Sequence, residues 1–206
     1  RNSSSAASDV YKRQAYRDET NTNLKYAYYN GSSWINMTLD GNWQGVDNVG
    51  EYVSLQLDSG NWPHIAYYNA TAGDLMYMYN DGSAWYKSTA YSTNNVGAHA
   101  SLSLDSNDNA HIAHYNMQFQ NLMYTNFGGG NWTTEPVDSV GRVGEYCAIA
   151  IDANDSPHIA YVDRDNGGAI KYAHKNQSWD FIEIDEEGEF ISCLLYTSDA
   201  ADEELR

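Results

Sequence analysis

The sequence predicts an all-β fold, a β-propeller built from four-stranded blades. The first observation is a repeat with a step of 47 residues, since HIAYY at 64–68 returns as HIAHY at 111–115 and as HIAYV at 158–162. The second is that each repeat contains four short runs with strand character, separated by turn residues. Four strands in a unit of about 40–50 residues are typical of a propeller blade.

One complete repeat spans residues 96–142, and its four strands, A to D, can be assigned in order. They are predicted at 100–104, 111–115, 122–125 and 132–137. The runs are rich in Tyr and β-branched residues or alternate small and apolar ones, and Gly, Asn and Asp bound them, which are strand and turn signals. We predict no helix in the repeats, because no stretch shows a sustained 3.6-residue apolar period.

The repeat also divides the chain. The predicted blades are 15–48, which is incomplete, then 49–95, 96–142 and 143–187, with the start of another strand A at 188–192. Residues 1–14 and 193–206 do not follow the repeat and resemble translated sequencing-adaptor sequence seen in metagenomic assemblies, so we predict non-native tails. The propeller segment, 15–192, is then an open arc of about four blades from a larger ring, and the remaining blades of the parent chain are its expected partners. A blade cannot bury both faces alone, so the first and last blades should expose apolar surface.

Charge and hydropathy limit the partners. Lys and Arg total 11 against 28 Asp and Glu, a net charge of −17, which argues against binding to nucleic acid or to an anionic membrane. No run of 18 apolar residues occurs, so no membrane-spanning helix is predicted.

Cys193 belongs to a predicted tail, and Cys147 takes the place of small residues in other blades, so we expect Cys147 to be a buried apolar residue. We predict no cofactor.

A histidine recurs at one position of strand B, as His64, His111 and His158. Zinc would need its ligands at about 2.0–2.1 Å, and neighbouring blades hold these side chains much farther apart. We therefore predict a structural hydrogen bond that fixes strand B, and no metal. The acidic turns at 105–109 and 152–156 lack the Gly and Glu of an EF-hand loop. Ordinary turn hydrogen bonding is favoured there over a single bound cation.

The repeat pattern resembles that of sialidase-like propeller proteins of bacteria and archaea, over about residues 15–192. In that superfamily the turn between strands C and D carries an Asp box, S-x-D-x-G-x-T-W. The turn MYNDGSAW at 78–85 keeps Gly82 and Trp85, but Asn80 stands at the Asp position and Met78 at the Ser position. This degenerate Asp box implies the propeller fold and says little about activity.

A candidate binding site follows from comparing the blades. The loops between strands D and A and between B and C vary, and loops on a rigid scaffold carry binding residues. Two places after each Val-Gly stands an aromatic residue, which suits a sugar ring or a cation. The predicted ligand-binding residues are Tyr52, His99 and Tyr146, with Glu51, Glu145 and Arg142 beside them; Phe190 would be a fourth ring. The alternative is that these rings only pack the mouth of the channel.

Three functions stay open. We favour a non-catalytic binding module of a secreted or cell-surface protein, with carbohydrate as its ligand. The second hypothesis is a fragment of a sialidase-like glycoside hydrolase, an exo-glycosidase, which would need an arginine cluster; only Arg17, Arg142 and Arg164 are available in the segment. The third is a structural or protein-interaction propeller. Repeated aromatic pockets between blades would favour the first hypothesis, and a flat polar face the third. No catalytic residue is assigned.

Overall fold

The computed structural model describes residues 12–41 and 47–185, which form four antiparallel sheets. The predicted strand at 188–192, Phe190 and the tail at 193–206 lie outside the described residues. Within the described ranges there is no helix, and so none that could cross a membrane. Each sheet follows the chain in order, strand beside strand. The all-β propeller prediction is confirmed, as an open arc of successive blades.

The first blade has three described strands, and the other three blades have four each. The first blade contains β1 (Arg13–Asp18), β2 (Asn23–Tyr29) and β3 (Trp34–Asp40). The second contains β4 (Val49–Leu57), β5 (Pro63–Asn69), β6 (Asp74–Asn80) and β7 (Trp85–Tyr91). The third contains β8 (Val96–Leu104), β9 (Ala110–Asn116), β10 (Asn121–Gly128) and β11 (Asn131–Asp138). The fourth contains β12 (Val143–Ile151), β13 (Pro157–Asp163), β14 (Ala169–Lys175) and β15 (Trp179–Asp185).

Two strand boundaries differ from the predicted ones. Strand A of the third blade begins at Val96 rather than at residue 100, so the Val-Gly pair lies inside the strand. Strand β1 begins two residues before the predicted start of the propeller segment, because Arg13 and Gln14 pair with Tyr28 and Ala27. Backbone pairing therefore extends the sheets beyond the runs with a clear apolar pattern.

The core lies between the blades. One apolar cluster joins Tyr77 and Ala90 of the second blade to Leu102 and Ile112 of the third. Similar clusters lie between the first and second blades and between the third and fourth. Each sheet thus buries a face only by packing on its neighbour, as expected for a repeat architecture.

The Val-Gly pair recurs because the inner strand passes very close to the preceding blade. Gly97 has a φ of +104°, and a Cβ atom there would lie 2.8 Å from the Cα of Leu75. Gly144 has the same φ and the same conflict with Leu122, at 2.7 Å. A side chain at either glycine would be strained by its backbone conformation and would clash with the backbone of the preceding blade.

Polar contacts between the turns also join neighbouring blades. Ser59 donates from its backbone N–H and its hydroxyl to Asp108, at 2.9 and 2.6 Å. Ser106 donates in the same way to Asp155, at 2.8 Å for both contacts. The fourth blade has Ala153 at this position, so it has no hydroxyl to continue the series.

The acidic turns have ordinary turn chemistry, as predicted. Asp105 accepts hydrogen bonds from the backbone N–H groups of Asn107 and Asn109, both at 2.8 Å. Asp152 accepts equivalent bonds from Asn154 and Ser156. The carboxylates therefore stabilise the turns between strands A and B.

Candidate functional site

The predicted aromatic residues occupy a β-bulge that is repeated in three inner strands. The pairing register shifts on both sides of Glu51, and the shifts recur in β8 and β12. At the bulges Tyr52, His99 and Tyr146 have φ values of 50°, 53° and 52°. A non-glycine residue in this left-handed region is uncommon, and a bulge re-aims its side chain. Such outliers concentrate at functional sites, which makes these three rings candidates for a binding role.

The three side chains form a continuous row, which we call the aromatic row. The ring centroids of Tyr52 and His99 are 4.5 Å apart, and those of His99 and Tyr146 are also 4.5 Å apart. Tyr68 lies 6.2 Å from Tyr52, and Tyr115 lies 6.1 Å from His99. Tyr52 is 41% exposed, whereas His99 and Tyr146 are half-buried. The row therefore presents one open ring and two partly covered ones.

Charged pairs flank both ends of the aromatic row. At one end Arg164 donates from Nε to Glu145 at 2.9 Å, and its guanidinium carbon lies 5.4 Å from the centroid of the Tyr146 ring. At the other end Arg17 lies 3.5 Å from Glu51. The predicted residues Glu51 and Glu145 thus lie beside the row, each with an arginine partner that the sequence reasoning did not assign to the site.

Arg142 forms an ion pair outside the aromatic row. The sequence prediction groups Arg142 with the aromatic residues, but its Nε donates to Asp165 at 2.7 Å. Its carbonyl accepts a hydrogen bond from the backbone N–H of Arg164, which keeps the two arginines adjacent. Arg17, Arg142 and Arg164 are thus each paired with a carboxylate, and Arg17 and Arg164 reach the two glutamates beside the row.

Burial shifts the pKa of two rings of the row, His99 and Tyr52. Desolvation lowers the pKa of His99, although nearby Glu145 opposes that shift, so its imidazole is uncharged at neutral pH. Desolvation, reinforced by Glu51 and the neighbouring Tyr146, raises the pKa of the Tyr52 phenol. Beside Tyr52 a depression of about 400 Å³ is lined by Tyr16, Arg17, Glu19, Gly50, Glu51, Tyr52 and Val53. This surface can stack on an apolar ring face and exchange hydrogen bonds with hydroxyl groups.

The recurring histidines make the predicted hydrogen bonds. Nδ1 of His64 is hydrogen-bonded to the Tyr77 hydroxyl, and the same bond joins His111 to Tyr124. Nε2 of each lies 3.4 Å from an aspartate of the preceding turn. Both histidines are buried, and desolvation lowers the pKa of each imidazole. Each cluster fixes strand B to strand C and to the turn.

His158 departs from the prediction that all three histidines are largely buried. It is hydrogen-bonded to Tyr172 in the same way, but its side chain is 22% exposed. In the two preceding blades, the equivalent tyrosine is covered by the next blade along the chain. No next blade covers Tyr172 within residues 12–41 and 47–185, which explains the exposure.

We expect His111→Ala to destabilise the protein without altering ligand binding. The variant leaves the buried Tyr124 hydroxyl without its partner, which costs about 1–3 kcal/mol. Urea unfolding of His111→Ala, of Tyr124→Phe and of the double variant measures the coupling. A zinc-dependent melting temperature that disappears in His111→Ala would contradict the structural role.

A second set of aromatic contacts joins neighbouring blades. Trp85, Trp132 and Trp179 mark the start of strand D, and each packs edge-on against a tyrosine of the preceding blade. The ring centroids are 5.2 Å apart for Tyr26–Trp85, 5.0 Å for Tyr77–Trp132 and 5.3 Å for Tyr124–Trp179. These tryptophans recur at the 47-residue step of the repeat, but the sequence could not show which tyrosines they contact.

Between the second and third blades this contact borders a groove of about 540 Å³, the inter-blade groove. Tyr79 and Tyr86 stack at 5.2 Å on one side, and Phe127 lies on the other. Lys87 and Asp108 add charge to the lining. At the position of Tyr79 the third blade has Asn126, so the outer lining differs between grooves although the Trp–Tyr contact repeats.

No protein-family model and no curated protein matches the chain. AofleA from Arthrobotrys oligospora is 12% identical, with a TM-score of 0.60, and the match covers 85% of this chain and 54% of AofleA. The SapL1 lectin in complex with alpha-methyl fucoside is 13% identical, with a TM-score of 0.58, covering 81% and 57%. A variant of the Aleuria aurantia lectin in complex with alpha-methyl-L-fucoside is 14% identical, with a TM-score of 0.53, covering 84% and 60%. The chain thus spans less than two thirds of each, and at this identity the likeness shows a common β-propeller fold.

Proposed function

We propose that this chain is a non-catalytic carbohydrate-binding propeller module of a secreted or cell-surface protein. The aromatic row carries the proposal. Tyr52, His99 and Tyr146 form adjacent rings, and Glu51 and Glu145 lie beside them, each paired with an arginine. Stacking rings next to carboxylates match a sugar, which has apolar C–H faces and hydroxyl groups that donate hydrogen bonds.

Two of the similar propellers are solved with fucosides, which supports a monosaccharide of this kind as the first ligand to test. The arginines around the row bear on the alternative of a sialidase-like hydrolase, which would use a cluster to bind a carboxylate. Here Arg17, Arg142 and Arg164 are each paired with a carboxylate of the chain. This internal neutralisation favours a neutral sugar over an acidic one.

We expect a Tyr52→Ala, Tyr146→Ala double variant to bind glycans at least about fivefold more weakly than the wild type. Each ring that stacks on a ligand contributes about 0.5–1.5 kcal/mol, and about 1.4 kcal/mol corresponds to a factor of ten. A glycan array identifies ligands of the wild type, and calorimetric titration with the best of them, or with alpha-methyl fucoside, gives the affinities.

Tyr86→Ala is the matched control, because Tyr86 is a comparably exposed tyrosine in the inter-blade groove. It should leave binding unchanged. A loss of binding in Tyr86→Ala with none in the double variant would move the site to the groove. A wild type that binds no glycan on the array would favour the structural or protein-interaction propeller.

A further inference from the structure

The interface between the third and fourth blades shows what the repeated Trp–Tyr contact can hold. There the ammonium group of Lys175 lies 5.8 Å from the centroid of the Tyr124 ring and 5.7 Å from that of the Trp179 ring. A cation at this distance is attracted by the negative face of an aromatic ring. Nζ of Lys175 also donates a hydrogen bond to the Glu135 carboxylate. A cation that belongs to the chain itself therefore lies on this contact.

The inter-blade groove is the equivalent place between the second and third blades, and no cation of the chain fills it. Phe127 occupies the position of Lys175, since each pairs with the tryptophan at the start of strand D. In the described part of the chain, no lysine or arginine lies over the Tyr77 or Trp132 ring. Both blades pack on a described neighbour on each side, so the groove is an internal feature of the arc.

Charge in the inter-blade groove favours a cationic ligand. Lys87 lines the groove, but its Nζ donates to Asp40 of the first blade at 2.7 Å. Asp108 also lines the groove; it accepts hydrogen bonds from Ser59 and forms no ion pair with a described residue. Desolvation lowers the pKa of His64, which leaves its imidazole uncharged at neutral pH. The carboxylate of Asp108 therefore gives the lining a negative charge.

Aromatic rings supply the rest of the lining. Tyr79 and Tyr86 stack on one side of the groove, and Phe127 and Trp132 meet edge to face at 5.1 Å on the other. Several rings beside a carboxylate are the usual arrangement for recognising a quaternary ammonium group. The volume of about 540 Å³ lies within the range of about 300–1,000 Å³ that small-molecule sites occupy.

We propose that the inter-blade groove binds a small soluble molecule with a quaternary ammonium group, of which choline is the simplest to test. A methylated ammonium is favoured over a primary one, because Ser88 stands where the third blade has Glu135, the acceptor for Lys175. A primary ammonium has N–H donors to satisfy, whereas a quaternary ammonium has none. The proposal goes beyond carbohydrate binding, since the groove contains none of the three rings of the aromatic row.

Isothermal titration of the full chain with choline measures binding, and the uncharged tert-butyl analogue of choline is the control ligand. We expect the analogue to bind at least about fivefold more weakly, because a ring face attracts a cation. A Tyr79→Asn, Tyr86→Thr double variant should weaken choline binding at least about fivefold. It copies Asn126 and Thr133, which pair at the same positions of the third blade, so the fold accepts both residues.

Asp108→Asn tests the contribution of charge. The asparagine keeps a side-chain oxygen for Ser59, so choline binding that is weaker by at least about threefold measures the lost charge. Asp155→Asn is the matched control, because Asp155 accepts the same two bonds from Ser106 and does not line the groove. It should leave choline binding unchanged.

Several results would overturn the proposal. They are no choline binding at millimolar concentration, equal binding of the uncharged analogue, or choline binding that neither groove variant weakens. Displacement of choline by alpha-methyl fucoside would identify the groove as a sugar site instead. Co-sedimentation with phosphatidylcholine vesicles that the double variant abolishes would identify a lipid headgroup, rather than a soluble molecule, as the ligand. A wild type that binds choline but no glycan would support this proposal and contradict the carbohydrate-binding one.

Discussion

Replacing Trp132 with alanine is expected to lower the free energy of unfolding by about 3 kcal/mol. The Trp132 ring lies 5.0 Å from that of Tyr77 in the second blade and 5.1 Å from that of Phe127 in its own blade. It also packs against the apolar cluster that joins these blades. Removing a large aromatic side chain from a packed site costs about 3–5 kcal/mol when the site is fully buried, and Trp132 is only partly buried.

Trp132→Ala should destabilise the protein more than the loss of contacts within one sheet would, because each blade is stabilised by its neighbours. Urea unfolding followed by tryptophan fluorescence and by circular dichroism measures the change in the free energy of unfolding. Trp62→Ala is the control, since Trp62 is 40% exposed in a turn. Equal losses in the two variants would show that the Trp–Tyr contact between blades contributes no special stability.

The repeat made the arrangement of the blades predictable. Residues one repeat apart must occupy equivalent places in neighbouring blades, so the clustering of Tyr52, His99 and Tyr146 followed from their spacing alone. The hydrogen bond of each repeated histidine followed from the same argument, because a residue present in every blade at one strand position points to a structural role. Local pattern and repeat symmetry were sufficient for both predictions.

Contacts between non-equivalent residues could not be predicted in this way. Arg164 lies in a variable loop and meets Glu145 across the sheet, and Arg17 stands where the second blade has Tyr68. Neither pairing has a counterpart in every blade, so the repeat gave no signal for it. The partner of Arg142 could not be predicted for the same reason, since Asp165 is supplied by a loop that differs between blades.

The backbone conformation of the site was also beyond the sequence pattern. A bulge adds a residue to one strand without changing its composition, and the alternation of Ser and Leu in strand A gave no sign of it. Exposure could not be predicted for His158 either, because it depends on what covers the fourth blade rather than on the residue itself. These features arise from tertiary packing.

Asp138→Asn is expected to cost about 3 kcal/mol, because it breaks a buried charged cluster. Asp138 is 6% exposed and accepts hydrogen bonds from the Tyr161 hydroxyl at 2.8 Å and from Lys171 at 2.5 Å. Two of these residues belong to the fourth blade and one to the third, so the cluster joins the blades. The amide removes the charge that pairs with Lys171, whose side chain is only 17% exposed. Denaturant unfolding at pH 7 measures the loss.

The pH dependence of stability provides a second test of the role of the Asp138 carboxylate. Burial of Asp138 disfavours its charged form, but the hydrogen bonds from Lys171, the backbone N–H of Val140 and Tyr161 outweigh it and hold the pKa of the carboxyl below its ordinary value. A lowered pKa in the folded state means that the stabilisation is complete above the unfolded-state value of about 4 and is lost as the pH falls through the folded-state value. The difference in free energy of unfolding between the wild type and Asp138→Asn should therefore become smaller below about pH 4. Asp165→Asn, which breaks the half-exposed pair with Arg142, is the control and should have little effect on stability. If Asp165→Asn lowered the free energy of unfolding as much as Asp138→Asn does, burial between the blades would not determine how much an ion pair stabilises this protein.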